Sequence, residues 1–229
     1  MGTFFNASIG RKVIVSLSGA FLMLFMVVHL GLNLTLILDD TGVLFNKSAH
    51  FMATNPLIKV VEPVLAIGFA VHIIFTFLLT LKNLRTRPVG YAKSDHSKSS
   101  SWASRNMFIL GSLILVFLVM HLLQFFVKMK FTGDPLYTEI IIDGEQMRNA
   151  YLLVSNVFKT SLFYCIVYMV AAILLGLHLS HGFWSAFQSL GWNNKVWMNR
   201  IKIVALIYAT VIGAGFLIIP VYFMIFYLF

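Results

Sequence analysis

Long apolar runs separated by short polar stretches organise this chain. Five of them, roughly 13–38, 60–81, 107–127, 160–186 and 203–229, are almost free of charge. Each approaches or exceeds the ~20 residues that an α-helix needs to cross a hydrocarbon core about 30 Å thick. None alternates apolar and polar residues with the two-residue period of a barrel strand. Backbone polar groups in lipid must be satisfied within the segment, so the pattern predicts an all-α integral membrane protein, a single membrane domain of five transmembrane helices over 1–229. The first run follows Arg11 and Lys12 and continues for about 26 residues without a small-residue cleavage site, too long for a signal-peptide core. It is expected to remain as a span.

Composition agrees: 59% of the 229 residues are hydrophobic, 11% are charged, and the mean hydropathy is +0.88, far from the globular range. The net charge of +9 would suggest nucleic acid in a soluble chain; in a membrane chain its distribution matters instead. Arg11, Lys12, Lys82, Arg85, Arg87, Lys93, Lys98, Arg105, Lys195, Arg200 and Lys202 fall on one side, and the other side carries Lys47, Lys59, Lys128, Lys130, Arg148 and Lys159 among most of the acids. The positive-inside rule then puts the N-terminus in the cytoplasm and Phe229 outside. The basic, Ser-rich loop 82–105 suits anionic lipid or a soluble partner. One cysteine, Cys165, leaves no disulfide framework, no c-type haem attachment and no cysteine cluster.

Each of the first four spans carries a histidine: His29, His72, His121 and His178. An ionisable residue in a span is expensive unless it pairs or works, and four in four successive spans weaken the simple reading of interhelical hydrogen bonds. At ~1.5 Å per residue, His29 lies roughly 24 Å above Val13 and His121 roughly 21 Å above Met107, both in the outer half. His72, about 15 Å above Lys82, and His178 share the inner half. Two stacked imidazole pairs suit two bis-histidine haems; zinc is disfavoured for want of further ligands. Small residues near these histidines, among them Ser16, Ser18, Gly19, Gly68, Ala70, Gly111, Ala171, Ala172 and Gly176, offer room for a macrocycle or ordinary close packing. His181, three residues after His178, reads as an interfacial histidine, within reach of water or a haem propionate. The residues alone leave the choice between the two open.

Taken together, "SIGRKVIVSLSGAFLMLFMVVHLGLN", one histidine in each of spans two and three, and "HLSHGFWSAFQSLGW" resemble the membrane-anchor cytochrome b subunit of succinate dehydrogenase and fumarate reductase, in its single-chain, five-helix, di-haem form. The resemblance runs over essentially the whole chain. Its spacing from the fourth-span ligand to Gly182 and Gly191 implies that His178 is the ligand, and it implies two haems b, the proximal one on His72 and His178 and the distal one on His29 and His121. It further implies a flavoprotein and an iron–sulfur subunit as partners, a quinone, menaquinone, as membrane substrate, and the bacterial cytoplasmic membrane as location. Electrons would then pass between succinate or fumarate and quinone. Ser16, Ser18, Arg105, His181, His50 and Gln124 are candidate propionate or quinone contacts, with Arg11, Lys12 and Trp102 facing the inner propionates or the partner surface. A glutamate that some members place two residues before the fourth-span ligand is Gly176 here, which removes that proton route.

Glu62, the one acid inside an apolar run, reads either as an i,i+3 partner of Lys59 or as a proton carrier at a quinone site with His50, Asn55 and Gln124. Two rival readings accompany the main one. A hydrogenase-type or formate-dehydrogenase-type di-haem subunit would carry different ligand spacing. A haem-free transporter would call for broken helices or inverted repeats, where the chain offers only Gly213, Gly215 and Pro220 in the last span.

Overall fold

A computed structural model describes residues 7–85 and 102–229. Five helices in it are long and apolar enough to cross a membrane: Ser8–Leu38, Pro56–Arg85, Met107–Thr132, Leu162–Ser189 and Lys195–Leu228. In chain order the elements are α1 (Ser8–Leu38), α2 (Val43–Thr54), α3 (Pro56–Arg85), α4 (Trp102–Arg105), α5 (Met107–His121), strands β1 (Glu139–Ile142) and β2 (Glu145–Arg148), α6 (Ala150–Thr160), α7 (Leu162–Ser189) and α8 (Lys195–Phe223). Past His121 the third span continues to Thr132 in π-helical turns, and α8 ends in another over Met224–Leu228.

Local chemistry sets the boundaries. The Asn55 side chain accepts from the Leu57 amide at the head of α3, and Asn149, Ser161 and Asn194 cap α6, α7 and α8 by accepting from the Leu152, Tyr164 and Trp197 amides, which satisfies donors that a helix start leaves unpaired. The expected break at 160 is thus real but sharper: α6 stops at Thr160 and α7 starts at Leu162. The fifth span starts at Lys195, eight residues earlier than the apolar run alone suggested, because its first turns carry Lys195, Asn199, Arg200 and Lys202, which an apolar run leaves out. Pro220 sits inside α8 without interrupting it.

Packing among the spans is uneven. Helices α7 and α8 cross at a glycine pair, where a Cβ on Gly213 would stand 3.3 Å from Gly176 Cα, and Gly215 of α8 receives Leu30 of α1. Gly176 therefore serves this crossing rather than a cofactor gap, and Ala70 is exposed to the surroundings of the bundle. Helix α3 packs on α1, where Gly68 accommodates Phe21, and α5 packs on α7. Neither α1 with α5 nor α3 with α7 is a close-packed pair. None of the 30 residues of α3 is buried, the pattern of a helix that meets lipid and side chains rather than a dry helical seam.

Opposite the basic end, α2, the β1–β2 hairpin and α6 form a polar-rimmed cap. Asn46, buried in α2, donates to Asn149 Oδ1 at 3.2 Å and accepts from the Tyr151 amide at 2.8 Å, so one side chain ties α2 to α6. The hairpin turns through Asp143 (φ 52°) and Gly144 (φ 81°), the positive-φ pair that a two-residue type I′ turn requires. Lys47 pairs with Asp143 and Arg148 with Glu139 around it. Cys165 is fully buried under this cap and its thiol donates to the Phe158 carbonyl at 3.3 Å.

Candidate functional site

The histidines of the first and third spans meet. The His29 and His121 ring centres lie 5.8 Å apart, nearly perpendicular at 87°. A metal–nitrogen bond of about 2 Å and roughly 1 Å from nitrogen to ring centre put two axial imidazoles on one metal about 6 Å apart. Phe25 stacks on His29 at 5.1 Å and Phe216 lies at 5.7 Å, while Phe117 and Phe125 flank His121 at 5.8 and 5.3 Å. The Tyr168 hydroxyl donates to Gln124 Oε1 at 2.8 Å and lies 3.3 Å from His121 Nδ1. With its hydrogen committed to Gln124, the hydroxyl accepts from His121 Nδ1–H. That fixes the tautomer and leaves Nε2 with its lone pair.

Nearer the basic end, His72 lies against the first helix. Its Nδ1 is 3.3 Å from both Ser18 Oγ and the Val15 carbonyl; Ser18 spends its own hydrogen on the Ile14 carbonyl at 2.8 Å. Both neighbours are acceptors, so Nδ1 carries the proton and Nε2 is again bare. The ring rests on Gly19, where a Cβ would come within 3.2 Å of its Cε1. His178 lies over Gly111, its Cε1 3.7 Å from where a Cβ would be. His178 Nδ1 is buried and makes no hydrogen bond within the described protein.

Were two haems bound here, His29 with His121 and His72 with His178 would be the residues that hold them. Each pair spans two helices that are not packed together, each contains one imidazole whose tautomer is set by a protein acceptor, and ring spacing at the outer pair matches shared coordination. Among the described residues no cluster of three or more His, Cys, Asp or Glu forms that could hold a metal ion by itself.

The other candidates divide. Ser18 touches His72 as above, and Ser16 is buried on the same helix. His181 packs edge-on against Trp184 at 4.6 Å, with Lys202 over the indole at 5.1 Å, and its Nδ1 is also buried without a hydrogen bond; nothing brings it to His72. Arg105 and Trp102 belong to α4 at the basic end, as do Arg11 and Lys12 on α1. Arg87, Lys93 and Lys98 lie outside the described residues. Glu62 pairs with Lys130 of the third span at 2.8 Å, not with Lys59. Gln124 turns toward Tyr168 instead, while Asn55 is occupied as a cap and His50 sits on α2. The set proposed around Glu62 is therefore spread over the capped end rather than gathered.

Sequence reasoning missed Tyr168, the partner of His121. Its signal was present: it stands ten residues before His178 in an otherwise apolar run, and a hydroxyl in a span needs a partner. No known protein family matches the chain, and neither a curated protein nor a solved structure shows a significant match to it.

Proposed function

We propose that this chain is a di-haem cytochrome b membrane anchor of a succinate:quinone oxidoreductase, set in a bacterial cytoplasmic membrane with its basic end and N-terminus inside. The observation that carries the reading is the meeting of His29 and His121, ring centres 5.8 Å apart, on two helices long and apolar enough to cross a membrane. The choice of the succinate family rests on the sequence resemblance. Bound between such imidazoles, haem supplies one-electron transfer.

The chain's own residues do the holding and orienting. His121 and His72 present Nε2 because Tyr168 on one side and Val15 with Ser18 on the other accept from Nδ1. Phe25, Phe117, Phe125 and Phe216 keep water from the outer pair, and Gly19 and Gly111 let the inner imidazoles lie close to backbone. The basic end, with Arg105, Lys195, Arg200 and Lys202, offers positive charge to a flavoprotein and iron–sulfur pair and to inner propionates.

The deciding experiment is the visible spectrum of the detergent-solubilised native complex before and after succinate, with haem quantified per chain. Two b-type haems, at least one reduced by succinate, are expected. Two haems unmoved by succinate would transfer the chain to another membrane oxidoreductase, of hydrogenase or formate dehydrogenase type, and absence of haem would overturn the reading.

A further inference from the structure

Charge divides the molecule into two ends. Among the described residues every acid lies at the capped end, and so do the four ion pairs, Lys47 with Asp143, Lys128 with Asp134, Lys130 with Glu62 and Arg148 with Glu139. At the basic end Lys12, Lys195, Arg200 and Lys202 are exposed and form no ion pair within the described protein. Cations gathered at a membrane surface draw anionic headgroups.

One of these cations stands at the mouth of a groove. About 400 Å³ of space opens between α1 and α8 on the outside of the bundle, walled by Val27, Leu30 and Leu34 on one side and Val204, Ile207 and Val211 on the other. Gly31 lines it too, and a Cβ there would meet nothing within 4 Å. The Tyr208 hydroxyl is the one polar side-chain group among its described lining residues, and it donates to the Met23 carbonyl at 2.6 Å. No side chain is left to bind a polar ligand, so the slot suits an acyl chain.

Arg200 lies one turn before Val204 on the same side of α8. Trp197 lies one turn earlier still, its ring centre 5.4 Å from the guanidinium. Trp197 and Trp192 are exposed and 6.2 Å apart, and indoles gather at the level of lipid headgroups. Tyr208 meets Met23 and Gly215 meets Leu30, so α1 and α8 run parallel and in step, which brings Lys12 about level with Trp197. Lys12 also precedes Leu30 by about five whole turns and so shares its side of α1.

We infer that the groove between α1 and α8 seats an acyl chain of an anionic phospholipid, whose phosphate is bound by Arg200 and attracted by Lys12. A guanidinium grips phosphate with two parallel hydrogen bonds, and the ammonium of Lys12 adds a point charge beside it. The inference needs only the spans and the division of charge, and it holds whatever haem content the chain proves to have.

The test is native mass spectrometry of the full chain released from nanodiscs of mixed phosphatidylglycerol and phosphatidylcholine, with a diazirine-bearing phosphatidylglycerol in a parallel sample for peptide mapping. One phosphatidylglycerol retained in preference to phosphatidylcholine, with label on segments 27–34 and 204–212, is the expected result. Arg200→Gln and Lys12→Gln should each cut that retention about fivefold, and Arg200→Lys should restore most of it. Gly31→Phe fills the groove and should displace the label at an unchanged melting temperature; if that variant does not fold, the Arg200 pair of variants decides alone. Equal retention of the two lipids, or label spread evenly over α3 and α5, overturns the inference, since the groove is then ordinary lipid boundary. Arg200→Gln that detaches a soluble subunit from the native complex and leaves phosphatidylglycerol retention unchanged also overturns it, because the charge then serves a protein.

Discussion

On the proposed reading the two histidine pairs would use the same ligand chemistry in different surroundings. At the outer pair, aromatic rings crowd both imidazoles, and the side chain behind His121 is a hydroxyl whose own partner, Gln124, lines a groove between the third span, α6 and α7. At the inner pair, small residues replace rings: His72 rests on Gly19 and bonds backbone, and His178 lies over Gly111 with Nδ1 unpartnered. A ligand held by a backbone carbonyl cannot be re-tuned without moving a helix. One held through Tyr168 and Gln124 depends on two side chains, each removable by a single substitution.

The largest effect comes from removing a ligand. His72→Ala or His178→Ala is expected to remove one haem and weaken assembly, while His29→Ala or His121→Ala removes the other, each read as a drop from two haems per chain to one in a pyridine haemochrome assay. His181→Ala keeps both. If His178→Ala retained two haems and His181→Ala lost one, the inner pair would have been assigned to the wrong imidazole. Gly19→Leu comes next. Its Cβ would stand 3.2 Å from the His72 ring, tight enough to push the imidazole off Val15, and overpacking of this kind costs about 1–3 kcal/mol. Inner-haem occupancy falls while the outer spectrum is unchanged; equal loss at both pairs would mean a general packing defect.

Tyr168→Phe separates the two surroundings most directly. It deletes the acceptor of His121 Nδ1–H and keeps the ring, and losing such a support for a ligand costs on the order of 10–100-fold in affinity. The expected signature is a shifted outer-haem potential and low-temperature spectrum with the inner one untouched, whereas Ser18→Ala perturbs the inner pair less, because the Val15 carbonyl still accepts from His72. Identical potentials in Tyr168→Phe and the parent chain would show that the hydroxyl does not control His121.

Much of this was legible in the chain. Five spans and a histidine in each of four follow from hydropathy and spacing alone, since lipid forces helices and makes imidazoles costly. The cap was not read, because α2 and α6 are short and amphipathic beside apolar runs that dominate any window. Its hairpin did announce itself as Asp143-Gly144, the dipeptide that favours a type I′ turn. Partnership across helices was the other blind spot: Glu62 has Lys59 three residues away, yet it pairs with Lys130, 68 residues on. Helix spacing predicts neighbours on one helix and is silent on which helix comes alongside. Gly176 taught the converse, as a small residue beside a ligand histidine that turned out to face Gly213.

The smallest effect concerns the rim of the cap. Lys128 bonds the Asp134 carboxylate, and the Leu136 amide donates to it, so its pKa is held below the ordinary carboxylate value, with the Lys128 hydrogen bond as the largest cause. A depressed folded pKa means that the stabilisation is present above the unfolded carboxylate value, about 3.9, and is lost as pH falls through the lower folded value. Asp134→Asn is therefore expected to lower the melting temperature by at most about 4 °C near neutral pH, since ion pairs at the surface contribute at most ~1 kcal/mol. That difference from the parent should vanish below the folded pKa. Because the pair lies at the capped end, away from His72 and His178, the exchange should leave the inner haem spectrum as it was. A change at the inner pair instead would mean that the two ends of the bundle are not as independent as their packing indicates.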